Sequence, residues 1–318
     1  MIKIGVHKKE RLSGGPAIFF QRLIDAIHEN EYAKIVGTGN LLQDISLYSS
    51  VANRINFGQY VVRIDGIYFD RNQTYGNNDT LNKWIFKAIG SAKGVIFQSN
   101  FSKNLVEAHY GRIDLPKVVI INGAPLRKVK PKKNKKKIIV CSANWRAHKR
   151  LSSIINVVSS LRDELDCELL VLGNIGSFVK PTHDFVTFIG NIDKTSVFQY
   201  LDRADLFLHL AWLDPCPNSV VEAISCGVPV VCSNEGGTPE IVNRTGCGRV
   251  ATCDVKVDYG SLVDLYNPPA PDIDEIIRES IYVLDNTELI LSKMDRSLID
   301  IKRVARRYVK FMEEMVLN

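Results

Sequence analysis

The chain has 318 residues, of which 45% are hydrophobic and 24% are charged, and its net charge is +6. This length exceeds what one hydrophobic core usually supports, so two domains are expected, and the composition excludes a disordered or fibrous protein. No run approaches the roughly 18 apolar residues of a transmembrane helix. Seven scattered cysteines without a C-x-x-C spacing argue against a disulfide framework and a zinc site. With an N-terminus unlike a secretory signal, they predict a cytoplasmic protein.

Strand-like and helix-like segments alternate along the chain, which is the pattern of parallel sheets covered by helices. In the first half, apolar runs rich in β-formers predict strands at Ile2–Val6, Lys34–Gly37, Tyr60–Ile64, Gly94–Gln98 and Lys117–Ile121. Helical patterns occur at Pro16–His28, Thr80–Ile89 and Ser102–His109. We therefore predict a first α/β domain over residues 1–125.

Two loops of this domain carry candidate ligand-binding residues. Gly14 and Gly15 follow the first strand and precede a helix, and glycine lets the backbone approach a ligand closely. Ligands of open α/β sheets bind at this carboxyl edge of the strands. Asp65 follows the strand Tyr60–Ile64 at the same edge, where its carboxylate could orient a bound ligand or take a proton from it. An Asp-Gly pair after a strand is equally common as a simple turn, and His7 is a weaker alternative.

Basic residues are concentrated in the segment 126–137. They are Arg127, Lys128, Lys130, Lys132, Lys133, Lys135, Lys136 and Lys137. Pro125 and Pro131 interrupt regular secondary structure, so the segment is interpreted as a solvated linker between domains. The alternative is contact with an anionic membrane surface. No aromatic residues are interleaved with the charges, so nucleic-acid binding is not expected.

The second half predicts another α/β domain, over residues 138–300. Its strand-like runs are Ile138–Cys141, Glu168–Leu172, Phe185–Ile189, Leu206–His209, Val228–Cys232 and Gly248–Ala251. Helical patterns lie at Arg150–Leu161, Lys194–Leu201, Ser219–Ser225 and Pro239–Asn243. A final helix, 301–318, carries an apolar stripe that must pack on another element.

The most informative pattern runs from Asp214 to Glu240 and reads DPCPNSVVEAISCGVPVVCSNEGGTPE. Asp214 and Glu222 stand on either side of a helix start, and the pair Gly236-Gly237 precedes another. Helix N-termini and bare glycine amides attract phosphate, because their N–H groups lack partners. A carboxylate one turn further on can accept hydrogen bonds from a ribose diol. The segment therefore predicts a site for a nucleotide that carries a group on its diphosphate.

This segment resembles the donor-site signature of family 4 glycosyltransferases (glycosyltransferases group 1). The residues that match are Glu222, Ala223, Gly227, Pro229, Gly236, Gly237, Pro239 and Glu240. The first acid is usually Glu in that family and is Asp214 here, one methylene shorter. The resemblance implies an α/β fold of the GT-B type, with two Rossmann-like parallel-sheet domains facing a central cleft. It also implies that the helix 301–318 crosses back to the first domain.

Roles for single residues follow from the same resemblance. Lys149 and Arg146 would neutralise the donor diphosphate and the charge that develops on the leaving group. Glu222 would hold the ribose. The remaining residues expected around the donor are Gly14, Gly15, Gly173, Asn191, Asp214, Pro217, Asn218 and Ser219. Arg150 is interpreted as a surface residue, and His109, His148, His183 and His209 as structural or peripheral.

Chemistry without a metal is expected, since no Asp-x-Asp motif follows a strand and the related enzymes are metal-independent. We predict a glycosyltransferase that moves a sugar from a UDP- or GDP-linked donor to an acceptor hydroxyl of a glycan, lipid or protein, and the resemblance implies that it is a retaining enzyme. Asp214, Lys149 and Asp65 are the candidate catalytic residues. Two alternatives stay open. They are a nucleotide-sugar epimerase, and a catalytically silent subunit that binds nucleotide sugar.

Overall fold

The computed structural model describes residues 1–6, 14–37, 42–49, 58–72, 76–130, 132, 134–193 and 195–317. His7, Pro131, Lys133 and Lys194, named above, lie outside these ranges, as does residue 318. The chain divides into two compact units. The first comprises Met1–Pro125, Asp258–Val263 and Ile299–Asn318, and the second comprises Leu126–Val257 and Asp264–Leu298. Within the described ranges, no helix has the length and apolar character needed to cross a membrane.

The first unit is built on a parallel sheet of six strands in the order β2-β1-β3-β4-β5-β6. The strands are β1 (Lys3–Val6), β2 (Lys34–Gly37), β3 (Ile45–Ser49), β4 (Tyr60–Ile64), β5 (Gly94–Phe97) and β6 (Lys117–Val119). Its helices are α1 (Gly15–Glu29), α2 (Asn78–Gly90), α3 (Asn100–Tyr110) and the last helix of the chain, α10 (Ile301–Leu317).

β3 was not predicted from the sequence. It pairs in parallel with β1 on one side and with β4 on the other, so both its edges are hydrogen-bonded. Ile45 and Leu47 are fully buried on one face, and Tyr48 packs edge-on against Tyr60 on the other. The strand is therefore defined by its neighbours in the sheet, which the local sequence does not show.

The helix α10 belongs to the core of the first unit. Its buried stripe of Val304, Tyr308 and Met312 joins Phe19 and Leu23 of α1 in one hydrophobic cluster. An amphipathic helix gains most of its stability from such packing. The residues that complete this core therefore come from the two ends of the described chain.

Arg63 of β4 is the polar centre of the first unit and has no exposed surface. Its guanidinium donates to Gln98 Oε1 at 2.9 Å, to Asn122 Oδ1 at 2.8 Å and to Tyr308 Oη at 3.1 Å. It also forms an ion pair with Asp65. Because a buried charge is tolerated only when its donors are satisfied, this network ties α10 to the sheet.

The second unit has a parallel sheet in the order β12-β11-β10-β7-β8-β9. Its strands are β7 (Lys137–Ser142), β8 (Cys167–Leu172), β9 (Val186–Gly190), β10 (Leu206–His209), β11 (Val230–Ser233) and β12 (Gly248–Ala251). Its helices are α4 (Leu151–Leu161), α5 (Val197–Leu201), α6 (Asn218–Ser225), α7 (Thr238–Thr245), α8 (Ile273–Asp285) and α9 (Thr287–Lys293). Strand order reverses between β7 and β10, and open α/β sheets bind ligands at the carboxyl ends of strands at such a point.

The basic segment 126–137 is partly fixed to the second unit. Arg127 and Lys130 both form ion pairs with Asp202, whose side chain is only 8% exposed. Lys132 Nζ donates to the carbonyl of Ala204. Burial lowers the pKa of Lys132 to about 8. Much of the positive charge of this segment is therefore used to anchor it beside the C-terminal end of α5.

Candidate functional site

Three side chains meet where β7 and β10 end. Lys149 follows β7 in a single turn of 3-10 helix, His209 is the last residue of β10, and Asp214 lies in the loop after it. Lys149 Nζ and Asp214 Oδ2 form an ion pair, and His209 Nε2 lies 3.7 Å from the same oxygen. The topological reversal of the sheet thus places the predicted cation and the predicted acid side by side.

Burial and charge set the protonation of this cluster. The pKa of His209 is lowered to about 4, mainly by burial; Asp214 opposes this shift and Lys149 adds to it. Burial by itself would raise the pKa of Asp214, but the positive charge and the hydrogen bond of Lys149, together with the neighbouring histidines, outweigh burial and hold that pKa below its ordinary value. At neutral pH the cluster therefore consists of a neutral imidazole, a carboxylate and an ammonium group.

The loop after β11 is fixed against the backbone of Asp214. Gly237 N donates to Asp214 O at 2.8 Å, and Gly236 forms a β-bridge with Asp214. Gly236 has a φ of +116°, and a Cβ there would come within 2.9 Å of Asp214 O. Only glycine fits this approach without strain, so the Gly-Gly pair of the motif sets the position of the acid.

The helix α6 begins beside Asp214, as the sequence predicted. Pro217 precedes it, and Asn218 and Ser219 form its first turn, half-buried. Their N–H groups lie at the positive end of the helix dipole, an arrangement suited to an anion. Glu222, one turn further, is 9% exposed.

Arg150 is not the surface residue that the sequence analysis expected; it is 5% exposed. It makes a bidentate ion pair with Asp254, with Nη1–Oδ2 at 2.9 Å and Nη2–Oδ1 at 2.6 Å. It also donates to the carbonyl of Pro269 at 2.7 Å. Its backbone is left-handed, with φ +55° and ψ +45°. These contacts fix the residue next to Lys149, so Arg150 holds the loop that carries the lysine.

Contacts between neighbouring turns order the loop after β7 further. Trp145 N donates to Asn174 O at 2.8 Å, and its indole Nε1 donates to Leu172 O at 2.9 Å. Gly173 has a φ of +101°, and a Cβ there would overlap Ala143 O. Gly173 is therefore required by the close approach of the turns after β7 and β8.

Two further predicted donor residues lie at this edge of the sheet with their side chains exposed. Arg146 precedes the 3-10 turn that contains Lys149. Asn191 follows β9, the edge strand two strands away from β7. Gly190 O accepts from Gly173 N at 2.8 Å, which couples the turns after β8 and β9.

Three other candidates belong to the first unit. Gly14, with φ +79°, precedes α1, and Gly15 is the first residue of that helix. Asp65 follows β4, and its carboxylate is the counter-ion of Arg63. This ion pair gives Asp65 a structural role that the sequence did not indicate, since Arg63 lies within an apolar run.

The second unit therefore brings together Lys149, Asp214 and the start of α6, while Gly173 and Asn191 line the adjacent turns. His209 was set aside as structural or peripheral in the sequence analysis. Its position at the end of a strand, five residues before the first acid, was the available signal. Chemically, the cluster offers one cation and one carboxylate near the N-terminal end of a helix. Among the described residues, no group of three or more His, Cys, Asp or Glu side chains is arranged to hold a metal ion.

Comparison with known proteins shows which family the segment around this site resembles. Residues 124–259 match the family described as glycosyl transferases group 1. Over 180 residues the chain is 28% identical to N-acetyl-alpha-D-glucosaminyl L-malate synthase of Bacillus anthracis. That alignment covers 52% of this chain and 46% of the relative, so the chain spans about half the length of this curated relative. The predicted resemblance to group 1 glycosyltransferases is confirmed, and the segment that matches contains Lys149, Asp214 and Glu222.

Solved structures of similar fold cover nearly the whole chain. The complex of Anabaena Alr3699/HepE with UDP-glucose has a TM-score of 0.70 at 15% identity, with 99% of this chain and 100% of that chain covered. Sucrose-phosphate synthase from Thermosynechococcus elongatus has a TM-score of 0.65 at 13% identity, with 100% and 97% covered. At these identities the likeness concerns the fold. The predicted α/β fold class of the GT-B type is confirmed.

Proposed function

We propose that this protein is a family 4 glycosyltransferase that moves a sugar from a UDP- or GDP-linked donor to an acceptor hydroxyl, with retention at the anomeric carbon. The observation that carries the proposal is the Lys149–Asp214 ion pair beside the start of α6. The pair lies inside the segment that matches the transferase family. Acceptors of the glycan, lipid-linked and protein classes are all compatible with it.

Lys149 and the N-terminal amides of α6 would hold the diphosphate of the donor. As the bond between sugar and phosphate breaks, negative charge accumulates on the departing oxygens. A cation fixed beside them then stabilises the transition state more than the ground state. Glu222 would accept hydrogen bonds from the ribose, and Asp214 would lie next to the transferred sugar. The departing diphosphate can itself take the acceptor proton on the same face of the sugar.

We further propose that transfer needs no divalent metal, because Lys149 supplies the positive charge that the leaving group requires. Transfer rates in EDTA and in added Mg²⁺ test this directly, and they should agree within twofold. A loss of transfer in EDTA that Mg²⁺ restores would overturn the metal-independent mechanism.

We also propose that the protein is cytoplasmic and that it contacts a membrane surface peripherally. The seven cysteines are all buried and free, which suits a reducing cytoplasm. Lys128, Lys135 and Lys137 of the basic segment are exposed and could contact anionic lipid. Sedimentation with phosphatidylglycerol vesicles at low and high salt tests that contact. The protein should bind the vesicles at low salt and be released at high salt.

The central test is donor binding and transfer in two variants. Lys149→Ala and Glu222→Gln should each weaken UDP or GDP binding about ten- to a hundredfold, since each removes hydrogen bonds that involve a charged group. Lys135→Ala and Glu288→Gln, both at exposed positions, are the matched controls and should bind as the wild type does. UDP is the first probe, because the Anabaena protein of similar fold was solved with UDP-glucose. If both site variants retain binding and transfer, the assignment of these residues is wrong.

Products of the reaction separate this proposal from its two alternatives. Incubation with a nucleotide sugar alone would give an isomer of that sugar if the protein were an epimerase. A silent subunit would bind UDP or GDP, yet neither transfer nor hydrolyse the donor. The anomeric configuration of the product, read by NMR, tests retention.

A further inference from the structure

His209 carries a buried nitrogen that the established contacts of the site do not explain. The side chain is 5% exposed, and among the residues that the structure describes no atom forms a hydrogen bond with its Nε2. A buried polar atom without a partner costs free energy, so its presence at a site calls for a function. The nearest acceptor is Asp214 Oδ2, at 3.7 Å, just beyond hydrogen-bonding distance.

The surroundings of His209 keep the imidazole neutral. Asp214 and Lys149 are the charged groups that face it, and burial lowers its pKa to about 4. A neutral imidazole carries one N–H, and an acceptor beside Nε2 favours the tautomer with the proton on that nitrogen. The Phe207 ring lies nearly parallel to the imidazole, two residues earlier on the same strand. His209 is thus a buried, uncharged donor whose Nε2 lies close to Asp214.

Asp214 currently shares its Oδ2 with Lys149. A nucleotide diphosphate carries more negative charge than one carboxylate, so it competes for the same ammonium group. Lysine can respond because its charge sits at the end of a flexible four-carbon chain. When Lys149 turns to the diphosphate, Asp214 becomes a buried carboxylate without a cation, which is costly unless another donor replaces it.

We propose that His209 is the positioning residue that replaces Lys149: when Lys149 moves to a nucleotide diphosphate, His209 Nε2–H donates to Asp214 Oδ2 and keeps that carboxylate in place. A shift of about 0.7 Å closes the present 3.7 Å separation to an ordinary hydrogen bond. The inference rests on the proposed function of the site as one that binds nucleotide diphosphates. It explains why an uncharged histidine adjoins an ion pair.

Two substitutions at position 209 distinguish the effect of the N–H donor from the effect of the size and shape of the side chain. His209→Phe keeps an aromatic ring without the N–H, whereas His209→Gln keeps an amide N–H at a similar reach. Calorimetric titration with UDP and GDP should show that His209→Phe weakens binding about ten- to a hundredfold, as expected for one hydrogen bond to a charged group. His209→Gln should recover most of the affinity. If His209→Phe does not fold, His209→Leu serves as the variant without a donor.

A double-mutant cycle with Asp214→Asn identifies the route of the effect. In the Asp214→Asn background, the His209→Phe change should alter UDP affinity less than twofold, because there is no carboxylate left to hold. An undiminished effect in that background, or equal UDP binding by His209→Phe and the wild type, would overturn the inference while leaving the proposed function intact. If the wild type binds neither UDP nor GDP, both the inference about His209 and the proposed function are wrong.

Discussion

Arg150 and Asp254, which are 104 residues apart in the chain, form a bidentate ion pair whose side chains are 2% and 0% exposed. The pair joins the loop after β7 to the loop after β12. It fixes the residue that follows Lys149. The orientation of the Lys149 side chain, the predicted phosphate-binding cation, therefore depends on a contact outside the segment from Asp214 to Glu240.

Breaking this pair should be costly. Arg150→Met leaves the buried Asp254 carboxylate without its cation, and we expect a loss of about 3–5 kcal/mol in the free energy of unfolding. Urea unfolding followed by fluorescence measures it. Arg278→Met, which removes an arginine that is 72% exposed from an ion pair on α8, is the control and should change stability by less than about 1 kcal/mol. Equal effects of the two variants would refute the special role of Arg150.

The stability of the second unit should depend on pH through His209. Its folded pKa, about 4, lies below the ordinary value of 6.5. Between these two pH values the unfolded chain binds a proton that the folded chain does not. Stability is therefore lost as the pH falls from 6.5 toward 4, by up to about 3 kcal/mol.

Unfolding of His209→Phe at a series of pH values tests this dependence. The variant should lack this part of the slope, whereas His28→Gln, at an exposed position, should retain it. Asp214, with its lowered pKa, would lose its own contribution only below the ordinary carboxyl range, so the two effects are separable. An unchanged slope in His209→Phe would show that the imidazole does not stay neutral in the folded protein.

Gly236→Ala should damage both the fold and the site. The new methyl group would lie within 2.9 Å of Asp214 O at a backbone angle that favours glycine, so we expect a loss of about 1–3 kcal/mol. UDP affinity should fall as well, because Asp214 is displaced. Gly37→Ala is the matched control, because among the described residues other than its chain neighbours no atom lies within 4 Å of the added Cβ. Thermal unfolding and UDP titration of both variants provide the measurements.

Arg63→Met should loosen the first unit. It leaves Asp65, Gln98, Asn122 and Tyr308 without the cation that they share, and the expected cost is about 3–5 kcal/mol. Limited proteolysis should then cut within α10. Tyr308→Phe, which removes one hydrogen bond, should cost about 1 kcal/mol. Lys310→Met, at an exposed position of α10, should behave as the wild type does. Protection of α10 in Arg63→Met would contradict the assigned role.

Local patterns were enough for most of the fold. The strands of the second unit could be predicted because each is a short apolar run between turn residues, and Val230 and Val231 illustrate this. β3 was missed because its ladder is supplied by β1 and β4 rather than by its own composition. Strand formation is decided by neighbours more than by intrinsic preference.

The candidate site was predictable only where its residues are close in sequence. Asp214 and Glu222 stand in one motif, whereas the role of Arg150 depends on a carboxylate more than a hundred residues away. A charged side chain is normally exposed, so the expectation of a surface residue followed from the average behaviour of arginine. The position of His209 could not be predicted for the same reason, because its burial beside Asp214 arises only when the sheet folds.

The placement of α10 has a consequence for how the protein is made. Phe19 and Leu23, near the beginning of the chain, have Tyr308 and Met312 as core partners, and these emerge from the ribosome only after the whole second unit. Domains commonly fold during synthesis from the N-terminal end. Here the first unit cannot complete its hydrophobic core until α10 has been synthesised, whereas the second unit can fold before that. The order of folding is thus expected to reverse the order of translation.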